Sequence, residues 1–151
     1  MKKIIWTISV LIFLSGAFFL FQRKNAGPRY SASGNVLEKI RIGGGIVEVE
    51  VVSTGEKRVL GLSGRDSMCG NCGMLFVFGS GDQRRFWMKD MEFDLDMLWI
   101  MDGKVVYIAR NVSHENGTDV IVTAENVADK VLELNAGASD RLGIRVGDTV
   151  I

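Results

Sequence analysis

One histidine, one proline and two cysteines are all that the chain offers of those residues, and each scarcity removes a class of chemistry. His114 is the sole imidazole, so a Ser-His-Asp or Cys-His catalytic set has to use it. It stands in the polar stretch "NVSHENGTD", which reads as an exposed loop. Pro28, the lone proline, lies in a polar stretch far from Cys69 and Cys72. No cis-proline can then flank that pair, as a thioredoxin-type site requires. An excess of basic charge is also missing, since 18 Lys and Arg balance 18 Asp and Glu. Lys2, Lys3, Arg23 and Lys24 flank one apolar run. Setting those four aside leaves 14 basic against 18 acidic residues, so no basic face for nucleic acid is expected. Gly43 to Gly45 lack the Gly-Lys-Ser continuation of a phosphate loop. Internal repeats and low-complexity tracts are absent.

The strongest feature present is the uncharged run from Ile4 to Phe21, about long enough to cross a bilayer. Residues 1–24 therefore read as an N-terminal transmembrane helix or signal, and the membrane as a partner through residues 4–21. Ser15, Gly16 and Ala17 are small, but no A-x-A-like cleavage site closes the run. An uncleaved anchor is favoured. Positive groups are balanced across the run, so they do not fix its orientation. The domain is expected outside the cytoplasm, because short N-terminal anchors usually translocate the chain behind them. Residues 25–35, polar with Gly, Ser and the lone Pro, read as a linker. Residues 36–151 are long enough to bury a core of their own.

Within that domain, "IVEVEVV" (46–52) has strand composition. Thr54 is placed to cap a short helix running to about Leu62, with Gly61 and Gly64 at its end. "GMLFVFG" (73–79) predicts a buried strand. At least two strands are expected in the segment 84–109, with a turn at Asp102-Gly103. "KVLELNAG" (130–137) predicts a strand entering a turn, "ASDRLGI" a helical turn, and "VGDTVI" a last short strand. The expectation is a mainly β, compact sandwich or barrel-like single domain with one or two short helices.

Two constellations could carry chemistry. Asp90, Glu92, Asp94 and Asp96 alternate with apolar residues, and on one unbroken strand they would share a face. Such a face could hold Ca²⁺ or Mg²⁺, but residues 84–100 are too long for one strand. A turn is expected to divide them, leaving a solvated face. The second is "MCGNCGML" (68–75). A thioredoxin-like pair would open a helix, whereas strand-like "MLFVF" follows Cys72. Zinc requires four ligands, and only His114 and carboxylates remain to complete the set. A Cys69–Cys72 disulfide is expected in an extracytoplasmic domain, stabilising by about 2 kcal/mol for so small a ring. Two free thiols are the default in the cytoplasm.

"GLSGRDS", "GMLFVF", "FWMKDM", "LDMLWI", "VLELNAG" and "GIRVGDTV" succeed one another from residue 61 onward. In that order and spacing the chain resembles the domain of unknown function 192 family over about residues 46–151. The resemblance implies a compact, mostly β fold, often behind a signal or anchor, and no established activity. This chain has Asp94 where the family usually has a proline, and no proline between the hairpin and "VLELNAG". The thiol pair is a local addition. Matching motif residues gives Arg65, Trp87, Lys89 and Asp96 as a candidate set for a small anionic or sugar-like ligand. The competing expectation is an Arg65–Asp96 ion pair with Trp87 in the core. The functional expectation is a non-enzymatic binding or envelope-accessory module without a cofactor, its partner a small ligand or an envelope protein. The alternatives are an enzyme using Arg65, Lys89 and Asp96, or a thiol-redox or metal-binding module using Cys69 and Cys72.

Overall fold

The computed structural model describes residues 28–118, 122–123, 125 and 127–151. The expected membrane span at residues 4–21 lies outside them. Among the described residues no helix is long and apolar enough to cross a membrane.

The chain builds one mixed sheet of seven strands and two short helices. The strands are β1 (Arg29–Tyr30), β2 (Val36–Ile42), β3 (Gly45–Val52), β4 (Cys72–Asp82), β6 (Leu95–Met101), β7 (Lys104–Val112) and β9 (Ala128–Asn135). Their order across the sheet is β1-β2-β3-β4-β9-β6-β7. All neighbours are antiparallel except β3 and β4, which run parallel. A parallel pair needs a crossover, and residues 53–71 supply it with α1 (Gly55–Leu60). Thr54 caps α1 by accepting from Lys57 N, and Gly61 ends it at φ 51°. That positive φ is a glycine conformation. β5 (Arg85–Phe86) and β8 (Val122–Thr123) form a separate two-stranded ribbon.

The β6–β7 turn is Asp102-Gly103, with φ of 50° and 72°. Both values are positive, as a tight primed turn demands. The stretch read as a last strand makes only one bridge, Lys104 to Thr149. It nevertheless matters to the architecture. Val105 N donates to Asp148 O and Val150 N to Gly103 O, while Arg41 and Ile151 exchange both backbone bonds. The segment 147–151 thereby joins the start of β7 to the far end of β2 and closes the sheet toward a ring. β2 lacks a strong sequence signal because its exposed positions carry Glu38, Lys39 and Arg41. Part of the polar stretch 25–35 also belongs to the fold: β1 pairs with β2, and Asn35 is buried.

Alternation in the central strands feeds two apolar clusters, one on each face of the sheet. Leu75, Leu98, Ile100, Leu132 and Leu134 enter the first, with Val47 and Val49 from β3. Met74, Phe76, Met97, Trp99 and Val131 enter the second, which the segment 83–94 covers with Phe86, Met88 and Met91. β6 and β9 are consequently buried on both faces. The ribbon is pinned by Trp99 Nε1, which donates to Arg84 O at 3.0 Å. An edge-to-face aromatic chain runs from Phe76 through Phe86 to Trp99. α2 (Ala138–Arg141) packs beyond the end of β9.

Candidate functional site

The four sequence-derived site residues do not converge on one ligand. Arg65 pairs with Glu50 on β3, in place of the expected partner Asp96. The two bonds measure 2.5 and 3.0 Å, a bidentate fork. Ser31 Oγ and Asn35 Nδ2 also donate to Glu50, each at 2.9 Å. Together with the Arg65 guanidinium they hold the Glu50 carboxyl down at about pKa 2. The pair fastens the 61–65 turn to β3 and to the β1–β2 connection. Asp96 is fully buried on β6. Its Oδ1 accepts from Asn111 N at 2.9 Å and its Oδ2 from Ser139 N at 2.8 Å. Asn111 has φ 52°, so Asp96 fixes a left-handed residue of β7 and the first turn of α2. Both of its oxygens are committed to the fold. Lys89 is exposed, and its carbonyl accepts from Ser63 Oγ at 2.9 Å. Trp87 is half exposed and lines a cavity together with Phe76 and Phe86.

The acidic alternation is divided as the sequence implied. Asp90, Glu92 and Asp94 precede β6, and only Asp96 lies in it. Asp94 Oδ1 accepts from His114 N at 2.8 Å and meets His114 Nδ1 at 2.6 Å. The backbone bond first, then the ring bond, lower the Asp94 pKa, and Asp94 raises that of His114. Their separation orients the imidazole at the surface of a single-turn 3-10 helix, His114–Asn116. Among the described residues no cluster of three metal-ligating side chains occurs. Cys69 and Cys72 form a disulfide with Cα atoms 5.1 Å apart. Asn135 Nδ2 donates to Met68 O and Cys69 O, and Arg141 donates to Gly70 O. These bonds tie the loop to the end of β9 and to α2.

A different carboxylate occupies the interior. Glu133 lies on β9 between Leu132 and Leu134 and is 4% exposed. Across the sheet it faces Met74 on β4 and Met97 on β6. No hydrogen bond or ion pair reaches its side chain from the described residues. Burial alone raises its pKa to about 8, so the carboxyl is protonated at neutral pH and has a proton to donate. An unpartnered buried carboxyl is unfavourable, yet this one lines a cavity of about 30 Å³ with Leu62, Phe76, Phe86, Trp87 and Met91. That space suits one or two water-sized groups. Ser63 also lines the cavity, and two hydrogen bonds tie its turn to the segment that carries Trp87. Ser63 Oγ binds Lys89 O, and Gly64 N donates to Asp90 O at 2.7 Å. The "GLSGR" turn and the "FWMKD" segment are thereby stitched together.

The cavity shares Arg58, Val59, Phe76, Phe86 and Trp87 with a wider groove of about 180 Å³. Phe78 and Arg85 complete that groove. A larger open depression of about 400 Å³ lies near Met101, Val127 and Val146, with Lys104 as its only charged lining residue among those described. Ligand sites combine apolar walls with a few convergent polar groups and a perturbed titratable group. By that criterion the Glu133 cavity with its groove is the better candidate. Sequence reasoning missed Glu133, although its signal was present: a lone carboxylate within "VLELNAG", on a strand whose apolar neighbours are buried on both faces.

The family model for uncharacterized ACR, the domain of unknown function 192, matches residues 38–151. Two solved structures share the fold. One is a proposed transcription regulator from Sinorhizobium meliloti 1021, 34% identical, with a TM-score of 0.72. The match covers 78% of this chain and 94% of that one. The other is a protein of unknown function from Novosphingobium aromaticivorans DSM 12444, 29% identical, with a TM-score of 0.75 over 84% of this chain and 94% of that one. No curated protein matches the chain. The sequence motifs, the family model and the shared fold agree: the chain belongs to the domain of unknown function 192 family.

Proposed function

We propose that the chain is a membrane-anchored, extracytoplasmic module that binds a small ligand, without turnover, in the groove beside Glu133. The observation that carries this reading is the Glu133 carboxyl, buried, without a partner among the described residues and lining a cavity that opens beside aromatic walls. A bound oxygen acceptor would satisfy it. The apolar run at residues 4–21 supports the anchor, and the Cys69–Cys72 disulfide supports an oxidising compartment. The surplus of acidic residues outside the anchor gives no support to nucleic acid as a partner.

A thermal-shift screen of small polar and aromatic compounds on the detergent-solubilised full chain tests the reading. A ligand of the native state must raise its melting temperature. Hits are expected, and replacing the acid by Glu133→Gln should change the affinity of those that reach it. No hits at all, or a set of hits none of which responds to Glu133→Gln, would sink the proposal. A second reading, acid–base catalysis, draws support from a pKa of about 8 at Glu133, close to the range useful at neutral pH. Conversion of a bound hit, rather than its release unchanged, would favour that reading.

A further inference from the structure

The groove beside Glu133 has a charge pattern as well as a shape. Its lining brings Arg58 and Arg85 together with Phe76, Phe78, Phe86 and Trp87, and no carboxylate among the described residues. Arg58 is occupied: its guanidinium donates to the carbonyls of Ser53 and Val77 and lies 5.0 Å from the Phe78 ring centroid. Arg84 approaches the same ring at 4.1 Å. These cation–π contacts make the Phe78 wall electropositive. Arg85 differs, being exposed, with no partner for its guanidinium among the described residues. The groove therefore has on its rim a cation without a partner among the described residues, aromatic faces along its walls and the Glu133 carboxyl in the adjoining cavity.

Resting on the ligand-binding reading above, we propose that the ligand is a flat, largely apolar monoanion of about one ring, a small aromatic carboxylate or its close equivalent. Its carboxylate pairs with the Arg85 fork, which matches two carboxylate oxygens. Its ring lies against Phe76, Phe86 and Trp87, where offset or edge contacts are favourable. One hydroxyl or carbonyl oxygen at the far end of the ring enters the small cavity. There it accepts from the Glu133 carboxyl, which supplies the donor because it stays protonated at neutral pH. A groove of about 180 Å³ limits the body to roughly one ring with short substituents. A ligand bearing a second negative charge at the Glu133 end is excluded, because an anion there would meet no cation within the small cavity except the occupied Arg58.

The test compares four probes on the full chain: benzoate, 4-hydroxybenzoate, benzamide and benzylammonium. Thermal shift and tryptophan emission are the readouts. Benzoate should bind with a Kd of about 1 mM, as expected for so few atoms, and 4-hydroxybenzoate roughly tenfold more tightly. Arg85→Gln should weaken both acids about tenfold and leave benzamide unchanged. Arg85→Glu should abolish acid binding and admit benzylammonium. Glu133→Gln should reduce the advantage of the 4-hydroxyl and spare benzoate. Arg85 is exposed on a two-residue strand, so melting curves of its variants should match the parent. Equal binding of acid, amide and amine, unchanged by Arg85→Gln, would overturn the anion assignment and leave the groove reading standing. Binding by none of the four would overturn the ligand class. The groove reading itself falls only if the wider screen also yields nothing dependent on Glu133.

Discussion

At the residue scale two glutamates set opposing pH dependences. Glu50 is depressed to about pKa 2 by Arg65, Asn35 and Ser31. Its contribution is present above the ordinary carboxylate pKa and is lost as pH falls toward 2. Glu133 behaves in the reverse sense. Its folded pKa of about 8 lies above the unfolded value, so the native state keeps a proton that the unfolded chain releases. Stability therefore declines as pH rises from about 4.5 to 8, then levels off. The groups packed around Glu133 are Met74, Met97, Leu62, Phe76, Met91 and, at the cavity edge, Arg58. The expected outcome is that Glu133→Gln raises the melting temperature at pH 8 by an amount equivalent to a few kcal/mol. At about pH 4, where the native acid is neutral, it should change stability little. Paired melts at the two pH values check this, and an equal effect at both would contradict a neutral buried acid. The sequence shows this only as a lone carboxylate in the apolar stretch "VLELNAG"; burial is what separates Glu133 from the rest of the 18 acidic residues. Arg65 and Asp96 were legible as special positions but not as separate ones. Their partners, Glu50 and the amides of Asn111 and Ser139, come from segments that only the folded sheet brings near.

At the element scale, local chemistry was well read and long-range pairing was not. The α1 cap at Thr54, its stop at Gly61 and the Asp102-Gly103 turn arise from residues adjacent in sequence. The parallel partnership of β3 and β4 does not, because it depends on the crossover through residues 53–71. Gly73 shows what the pairing requires: a Cβ there would lie 2.8 Å from Glu133 O and from Leu134 Cδ2. β9 can approach β4 this closely only beside a glycine. Asp96 holds elements in the same way, receiving one amide from β7 and one from α2. Asp96→Asn keeps the size but replaces one acceptor with a donor facing a buried N–H. It should destabilise by about 2–4 kcal/mol and lower the midpoint of urea unfolding without altering benzoate affinity. A loss below about 0.5 kcal/mol would show that the buried bonds do not hold β7 and α2 as described.

At the scale of the whole molecule, the expected β sandwich or barrel is a single mixed sheet, drawn toward a ring by residues 147–151 and filled on both faces. The disulfide is peripheral to this arrangement, since its two cysteines are only three positions apart. Replacing both cysteines with serine should cost about 2 kcal/mol or less. The variant should remain folded by circular dichroism and bind the same small acids. A collapse of the fold would show that the loop anchors more than the ends of β4 and β9.

The position of β9 in the sheet governs how the molecule can be assembled. It lies between β4 and β6 but comes after both in the chain. Until Asn135 is available, β4 and β6 each present a bare apolar edge, the kind of surface that recruits strands from other molecules. Non-local closure of this sort is slow relative to helix formation. A chain interrupted before β9 is therefore two half-sheets without a seam, exposed to aggregation. Biogenesis must keep the earlier strands from associating with other chains until the strand that unites them, and that carries Glu133 into the cavity beside the groove, has been made.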